Sequence, residues 1–400
     1  MTDDGPFGDD DNPFGDLPFF GDLSKLFQTS GPINWEAAQQ FAQSLATEGT
    51  SEPNVEPADR IKIEQLARIA ELQVANATGL DPTSTGNPAK IVTVTRAEWA
   101  RRTLDAYRSL FERLAGRLTS APPDSSPEAP EAQLLGGLFQ FLNPMMMAMT
   151  SGSMAGHLAK QSLGQYHLPI PRVGDDVLVL STNINEFADE WSVPVDDVRL
   201  WVCVHDLTFH SVLSIPHVAT AINEILGDYI DGFQSDPMAL ESKLGELEVS
   251  GSDPMDLQGQ LQSILGDPEA LLGAMRTSEQ DTVVPKLEAL LGVIIGYVDH
   301  VLDEVGSGLI ASIDLLAEAF RRKRVTAGPS DRFVTRLLGL DLRPEVIEEG
   351  ARFVAGVIER AGEGGLRRLW EIPQNLPTPN EVAAPGLWLA RIDLPDTPQS

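Results

Sequence analysis

Four hundred residues, 42% of them hydrophobic, are enough to bury a substantial core in one large domain or in two to three ordinary ones. A formal charge of -30, from 59 acidic against 29 basic residues, opposes attraction to nucleic acid and to anionic lipid, so neither is expected as a partner. A single cysteine, Cys203, excludes an intramolecular disulfide and fits a reducing, cytoplasmic compartment.

The amino terminus lacks a basic segment followed by a continuous apolar run, so no signal peptide is expected. Residues 1–30 instead repeat Phe-Gly-Asp three times, beginning at Phe7, Phe14 and Phe20, in a Gly/Pro/Asp-rich background. So little apolar surface cannot offset the entropy of ordering, which predicts a disordered acidic tail; its phenylalanines are alternatively a short docking motif. Residues 31–120 read as an N-terminal helical region. A helix over 35–46 has Ser30 or Asn34 as its cap, and one over 59–78 carries Ile61, Ile63, Leu66, Ile69, Ala70 and Leu72 near helical spacing. The stretch KIVTVTRAEW gives a short strand before a long helix over 97–118. The Pro/Ser/acid run TSAPPDSSPEAPE then marks a linker, placed at 121–131.

The body is assigned to 132–400. Residues 132–159 carry no charge, but Gln140, Asn143, Pro144 and a polar run at 150–153 interrupt them. That pattern suits buried helices meeting near Pro144, with Gly152 and Gly156 allowing close packing, better than a membrane span. DDVLVLSTNI, residues 175–184, reads as a strand. Helical patterns follow at NEFADEW, from 194 or 196 to 212, and over 217–233, 239–248, 254–265, 268–275, 283–306, 309–323 and 344–361. Pro216 separates the second of these from the third. The expected fold class is mainly α with a few short strands.

Chemistry concentrates in WVCVHDLTFH, residues 201–210. A zinc-peptidase helix reads His-Glu-x-x-His, because imidazoles four apart lie about 40° from each other and can share one ion. Here His205 stands first, Asp206 replaces the glutamate, and Phe209 occupies the second-histidine position. His210 follows one residue late, about 140° around the helix from His205, so the two cannot chelate one ion from a regular helix. Asp206 is one methylene shorter than a glutamate general base, which retracts its carboxylate by roughly 1.5 Å. A thiol–imidazole pair of Cys203 and His205 is excluded, since residues two apart point about 200° from each other. On a later helix His300 and Asp303 share a face with Asp299, a grouping better read as a helical charge pair than as a metal site. GEGGLRRLW lacks the Lys-Ser/Thr ending of a phosphate loop, and no Gly-x-Ser-x-Gly elbow is present.

Taken in order, GPINW, VTRAEW, LGQYHLPIPR, LVLSTNINEFADEWSVPVDDVRLWVCVHDLTFHSVLSIPHV, GYVDHVLDEVG and LPTPNEVAAPGLWLARI resemble the zincin-like metallopeptidase family of actinobacteria, whose members are labelled as hydrolases or as proteins of unknown function. The resemblance implies a zincin-like helical domain with its metal-site helices near 197–212 and 283–306. It aligns His205 with the first zinc ligand, Asp206 with the general base and Phe209 with the second ligand. His210 corresponds to an additional histidine of some members, and Ile295 stands where an acidic third ligand is expected.

A catalytic zinc needs three protein ligands and an open position for water. With one retained ligand position, the sequence points to a pseudo-peptidase that binds a protein or peptide partner and takes no cofactor. The alternative is an active zinc metallohydrolase with a site rebuilt from His205, His210, Asp206 or Asp299. A third reading gives the Phe-Gly-Asp tail the working role in assembly.

Overall fold

The computed structural model describes residues 31–81, 83, 85–119, 130–233, 278–325 and 335–394. The acidic tail, most of the linker and the helices expected over 239–248, 254–265 and 268–275 lie outside the described residues.

Asn34 opens the fold: its Oδ1 accepts the Ala37 N–H at 3.0 Å and caps α1 (Trp35–Ala46). The buried face of α1 is all alanine, at positions 37, 38, 42 and 46. Such small side chains invite a neighbour to approach its backbone. After α2 (Pro57–Thr78), β1 (Lys90–Thr93), α3 (Arg96–Ala106) and α4 (Arg108–Thr119), that neighbour arrives as α5 (Pro130–Gln161). A Cβ on Gly152 would stand 2.4 Å from the Ala38 carbonyl, and one on Gly156 2.7 Å from that of Ala42, so both glycines are required for the contact. Two helices meeting at Pro144 were expected, but α5 continues through it. The Pro144 carbonyl accepts the Asn34 N–H at 3.1 Å, pinning the middle of α5 to the start of α1. Conversely, the helix expected over 97–118 is divided at Tyr107, whose hydroxyl meets the Arg172 guanidinium.

The sheet consists of β1 and β2 (Asp176–Val179), parallel, with Lys90 beside Asp176 and Thr93 beside Val179. β2 is shorter than the strand read over 175–184, because STNI forms the first turn of α6 (Ser181–Trp191). There Asn183 Nδ2 donates to the carbonyls of Ala159 and Ser162, two groups at the exposed end of α5's hydrogen-bond ladder.

α7 (Val195–Leu213) is buried at every position from Val198 to Leu213 except His205, and packs on α2, on α8 (Pro216–Asp231) and on α9 (Ser278–Leu309). Pro216 sits in the first turn of α8, where its missing N–H costs nothing. α10 (Ile313–Val325) and α11 (Pro344–Arg367) follow, then the short α12 (Pro379–Val382) and α13 (Pro385–Ile392). α9 and α11 cross backbone to backbone: a Cβ on Gly350 would lie 1.9 Å from the Gly292 carbonyl oxygen. One hydrophobic core runs from Ile33 to Trp388 through both the N-terminal helices and the later ones. Among the described residues no helix is long and apolar enough to cross a membrane.

Candidate functional site

α7 delivers the residues singled out in the sequence, and each is engaged by its neighbours. His205 has its imidazole stacked on Trp201, one turn back, with centroids 4.8 Å apart and planes 17° from parallel. Phe209, one turn on, meets it edge-on at 4.8 Å. The row of rings extends in both directions. Phe209 stacks on Tyr166 at 5.7 Å, Trp201 on Phe320 of α10 at 3.6 Å, and Phe320 on Phe187 at 4.6 Å. The position that the resemblance aligns with a second ligand holds an aromatic ring packed on both sides.

His205 Nδ1 lies 3.0 Å from Asp206 Oδ2, an arrangement that places the ring proton on Nδ1 and leaves Nε2 as the one lone pair. Asp206 is itself consumed. Its Oδ1 accepts the Tyr166 backbone N–H at 2.8 Å, and the side chain is almost wholly buried. The loop that supplies this N–H, between α5 and β2, comes close because Gly164 has no side chain: a Cβ there would stand 2.5 Å from both carboxylate oxygens. Trp99 Nε1 also holds this loop, donating to the Gly164 carbonyl at 3.1 Å. Asp206 thus ties the LGQYH loop to α7, and both of its carboxylate oxygens are engaged by neighbours rather than aimed at a cleft.

His210 lies within the core rather than at the rim of a cleft, and is wholly buried. Its Nδ1 is 2.7 Å from the Tyr166 hydroxyl, while Nε2 has no partner among the described residues. Burial pushes the imidazole down to about 4, so the ring is neutral at pH 7. The same burial pushes the Tyr166 hydroxyl and the Cys203 thiol well above their ordinary ranges. Tyr166 connects the two ends of the motif, meeting Asp206 through its backbone, Phe209 through its ring and His210 through its hydroxyl.

Ile295 lies on α9, which packs against α7, and is nearly buried within the apolar core. Five residues on, His300 pairs with Glu363 of α11 at 3.1 Å and also acts electrostatically on Asp303 of its own helix. A cleft of about 600 Å³ lies between α2 and β1, lined by Glu64, Arg68, Lys90 and Asp175, and reaches α7 at Leu207. Two residues from His205 on a helix is about 200° away, so this cleft opens on the other side of α7.

A family zinc does not fit these residues. Only Nε2 of His205 is offered to an ion, Phe209 and Ile295 have no lone pair to give, and Asp206 is turned toward the loop. Among the described residues, none of His205, Asp206, His210 or Asp299 belongs to a group of three donor side chains within reach of one ion. Sequence reasoning missed Tyr166, Gly164 and Trp99, the residues that explain why Asp206 is buried. The signal for Gly164 and Tyr166 was the LGQYH stretch, a glycine and an aromatic in a loop without an assigned task.

A model of the zincin-like metallopeptidase family matches residues 33–389. Among solved structures, the chain is similar to one from Chloroflexus aurantiacus described as a "putative hydrolase with a novel fold". The TM-score is 0.63 at 23% identity, over 91% of this chain and 99% of that one, a likeness of fold. No curated protein matches the chain.

Proposed function

This chain belongs to the zincin-like metallopeptidase family, and on that premise we propose that it is a pseudo-peptidase: a member with a dismantled zinc centre, which binds a protein or peptide partner instead of cleaving it. One observation carries the proposal. At the second-ligand position the Phe209 ring packs between Tyr166 and His205, where a metal-bound member presents an imidazole to the ion. Two others support it. Asp206 is committed to the Tyr166 N–H and to His205, so no carboxylate remains to activate water, and Ile295 supplies no acidic ligand from α9. The lone reduced cysteine and the acidic surface suit a cytoplasmic setting.

The test is zinc binding and peptide cleavage by the full chain beside its His205→Ala variant. The proposal expects equal zinc content in the two and no zinc-dependent cleavage of a random peptide library by either. Loss of a bound zinc in the variant, or cleavage that chelator abolishes and zinc restores, would overturn it. Installing Phe209→His with Ile295→Glu is expected to add one zinc that then depends on His205, which checks the ligand assignment itself.

A further inference from the structure

A second place in the molecule brings metal-binding side chains together. On α9, His300 and Glu304 are four apart and so share a face; Glu363 reaches them from α11. One donor atom from each of the three lies within 4.8 Å of the other two, and His300 Nε2 is 3.1 Å from Glu363 Oε1. Around a tetrahedral zinc with bonds of about 2.0–2.2 Å, neighbouring donors stand roughly 3.3–3.5 Å apart. The histidine–glutamate pair, at 3.1 Å, need only separate slightly to reach that spacing. Glu304, exposed and long, already brings a carboxylate oxygen within 4.8 Å of both.

From this geometry we propose that His300, Glu304 and Glu363 form a binding site for a divalent transition-metal ion, Zn²⁺ foremost, separate from the family's zinc position. The imidazole distinguishes the site from an acidic patch. Carboxylates alone suit calcium or magnesium, whereas one nitrogen with two carboxylate oxygens selects zinc and its first-row neighbours. The scaffold is rigid where it needs to be. α9 and α11 touch backbone to backbone at Gly292, Gly296 and Gly350, and Tyr297 meets Trp370 edge-on at 5.1 Å. Beyond that crossing α11 breaks its helical path at Gly362, φ 67° and ψ -174°, a conformation reserved for glycine, and the next residue is the ligand Glu363. Three protein ligands leave a position for water, and the bound ion would staple the segment after the kink to α9.

The site is independent of the pseudo-peptidase reading, and one experiment separates them. Metal-free full-length protein is titrated with ZnCl₂ by calorimetry, alongside His300→Ala, Glu363→Gln and His205→Ala. Removing even an outer-shell partner typically weakens metal binding about 10- to 100-fold, so loss of a direct ligand should weaken one equivalent of zinc by at least that much. That loss is expected in the first two variants and not in the third. Cobalt loading gives a second readout: its visible d–d bands should vanish with His300→Ala and persist with His205→Ala. Zinc binding unchanged by both His300→Ala and Glu363→Gln, or calcium binding as tight as zinc, overturns the site. Loss confined to His205→Ala overturns it together with the pseudo-peptidase reading. Both side chains are partly exposed, 27% for His300 and 46% for Glu363, so the variants should fold, with far-UV circular dichroism as the check.

Discussion

His210 makes the stability of this fold depend on pH in a way that can be isolated. Its ring has an ordinary value of 6.5 and is pushed down to about 4, chiefly by burial, with Asp175 and Asp206 opposing the shift. Between those values the unfolded chain binds a proton that the native chain refuses. The stability due to the neutral ring is therefore fully present above pH 6.5 and is lost as pH falls toward 4. The whole span is worth about 3 kcal/mol at 1.36 kcal/mol per unit, of which about 2 kcal/mol is already lost at pH 5. His210→Gln keeps a polar group beside the Tyr166 hydroxyl and removes the titration. Urea unfolding of both proteins at pH 7 and pH 5 gives the comparison: the wild type should lose about 2 kcal/mol more than the variant on acidification. Other titrating groups cancel, because they are common to both proteins. An equal loss would refute the reasoning and show that water or a proton reaches the ring in the native state. A histidine engaged only by Tyr166 should also leave zinc binding unaltered when replaced.

Two further outcomes follow from the packing. Gly350→Ala places a methyl group 1.9 Å from the Gly292 carbonyl oxygen, where only backbone can move. The overpacking should cost about 1–3 kcal/mol or more, read as a lower urea midpoint, whereas Gly364→Ala on the same helix, with open space around it, should change little. Cys203 is wholly buried and its thiol is held well above the ordinary range by desolvation. Ellman's reagent should therefore fail to label the native chain and should find one thiol per chain in denaturant. Labelling at native conditions at the rate of a free thiol would contradict the burial of α7.

Where the sequence predicted well, a local rule and the packing demanded the same thing. Trp35–Ala46 formed as read because a capping asparagine precedes a run whose small residues fall on one face. Val195–Leu213 formed because its proline, acidic first turn and apolar length all agree. The misreadings came where a long-range contact outweighed the local pattern. STNI has a strand-like tail, but Asn183 is drawn to the end of α5, and that turns the chain into a helix. Pro144 is a helix breaker by rule, and α5 passes through it while its carbonyl is taken up by Asn34. At the site, the spacing argument against His205 and His210 needed only helix geometry. The occupation of Asp206 was not legible, because its partner is the backbone N–H of Tyr166, forty residues earlier in the chain. Backbone donors carry no mark in a sequence. The His300–Glu363 pair was hidden for a similar reason: its members are 63 residues apart, and only the crossing of α9 and α11 joins them.

The contact between Gly164 and Asp206 restricts which acid position 206 can hold. With the loop this close, an acid at 206 must be short: glutamate would carry its carboxylate roughly 1.5 Å farther, into the loop backbone or away from the Tyr166 N–H. Accommodating the longer acid would require the loop, which Trp99 also holds through the Gly164 carbonyl, to shift away from α7. Residue 206 and the loop are thus coupled: the length of the acid and the missing side chain of Gly164 set one another's limits.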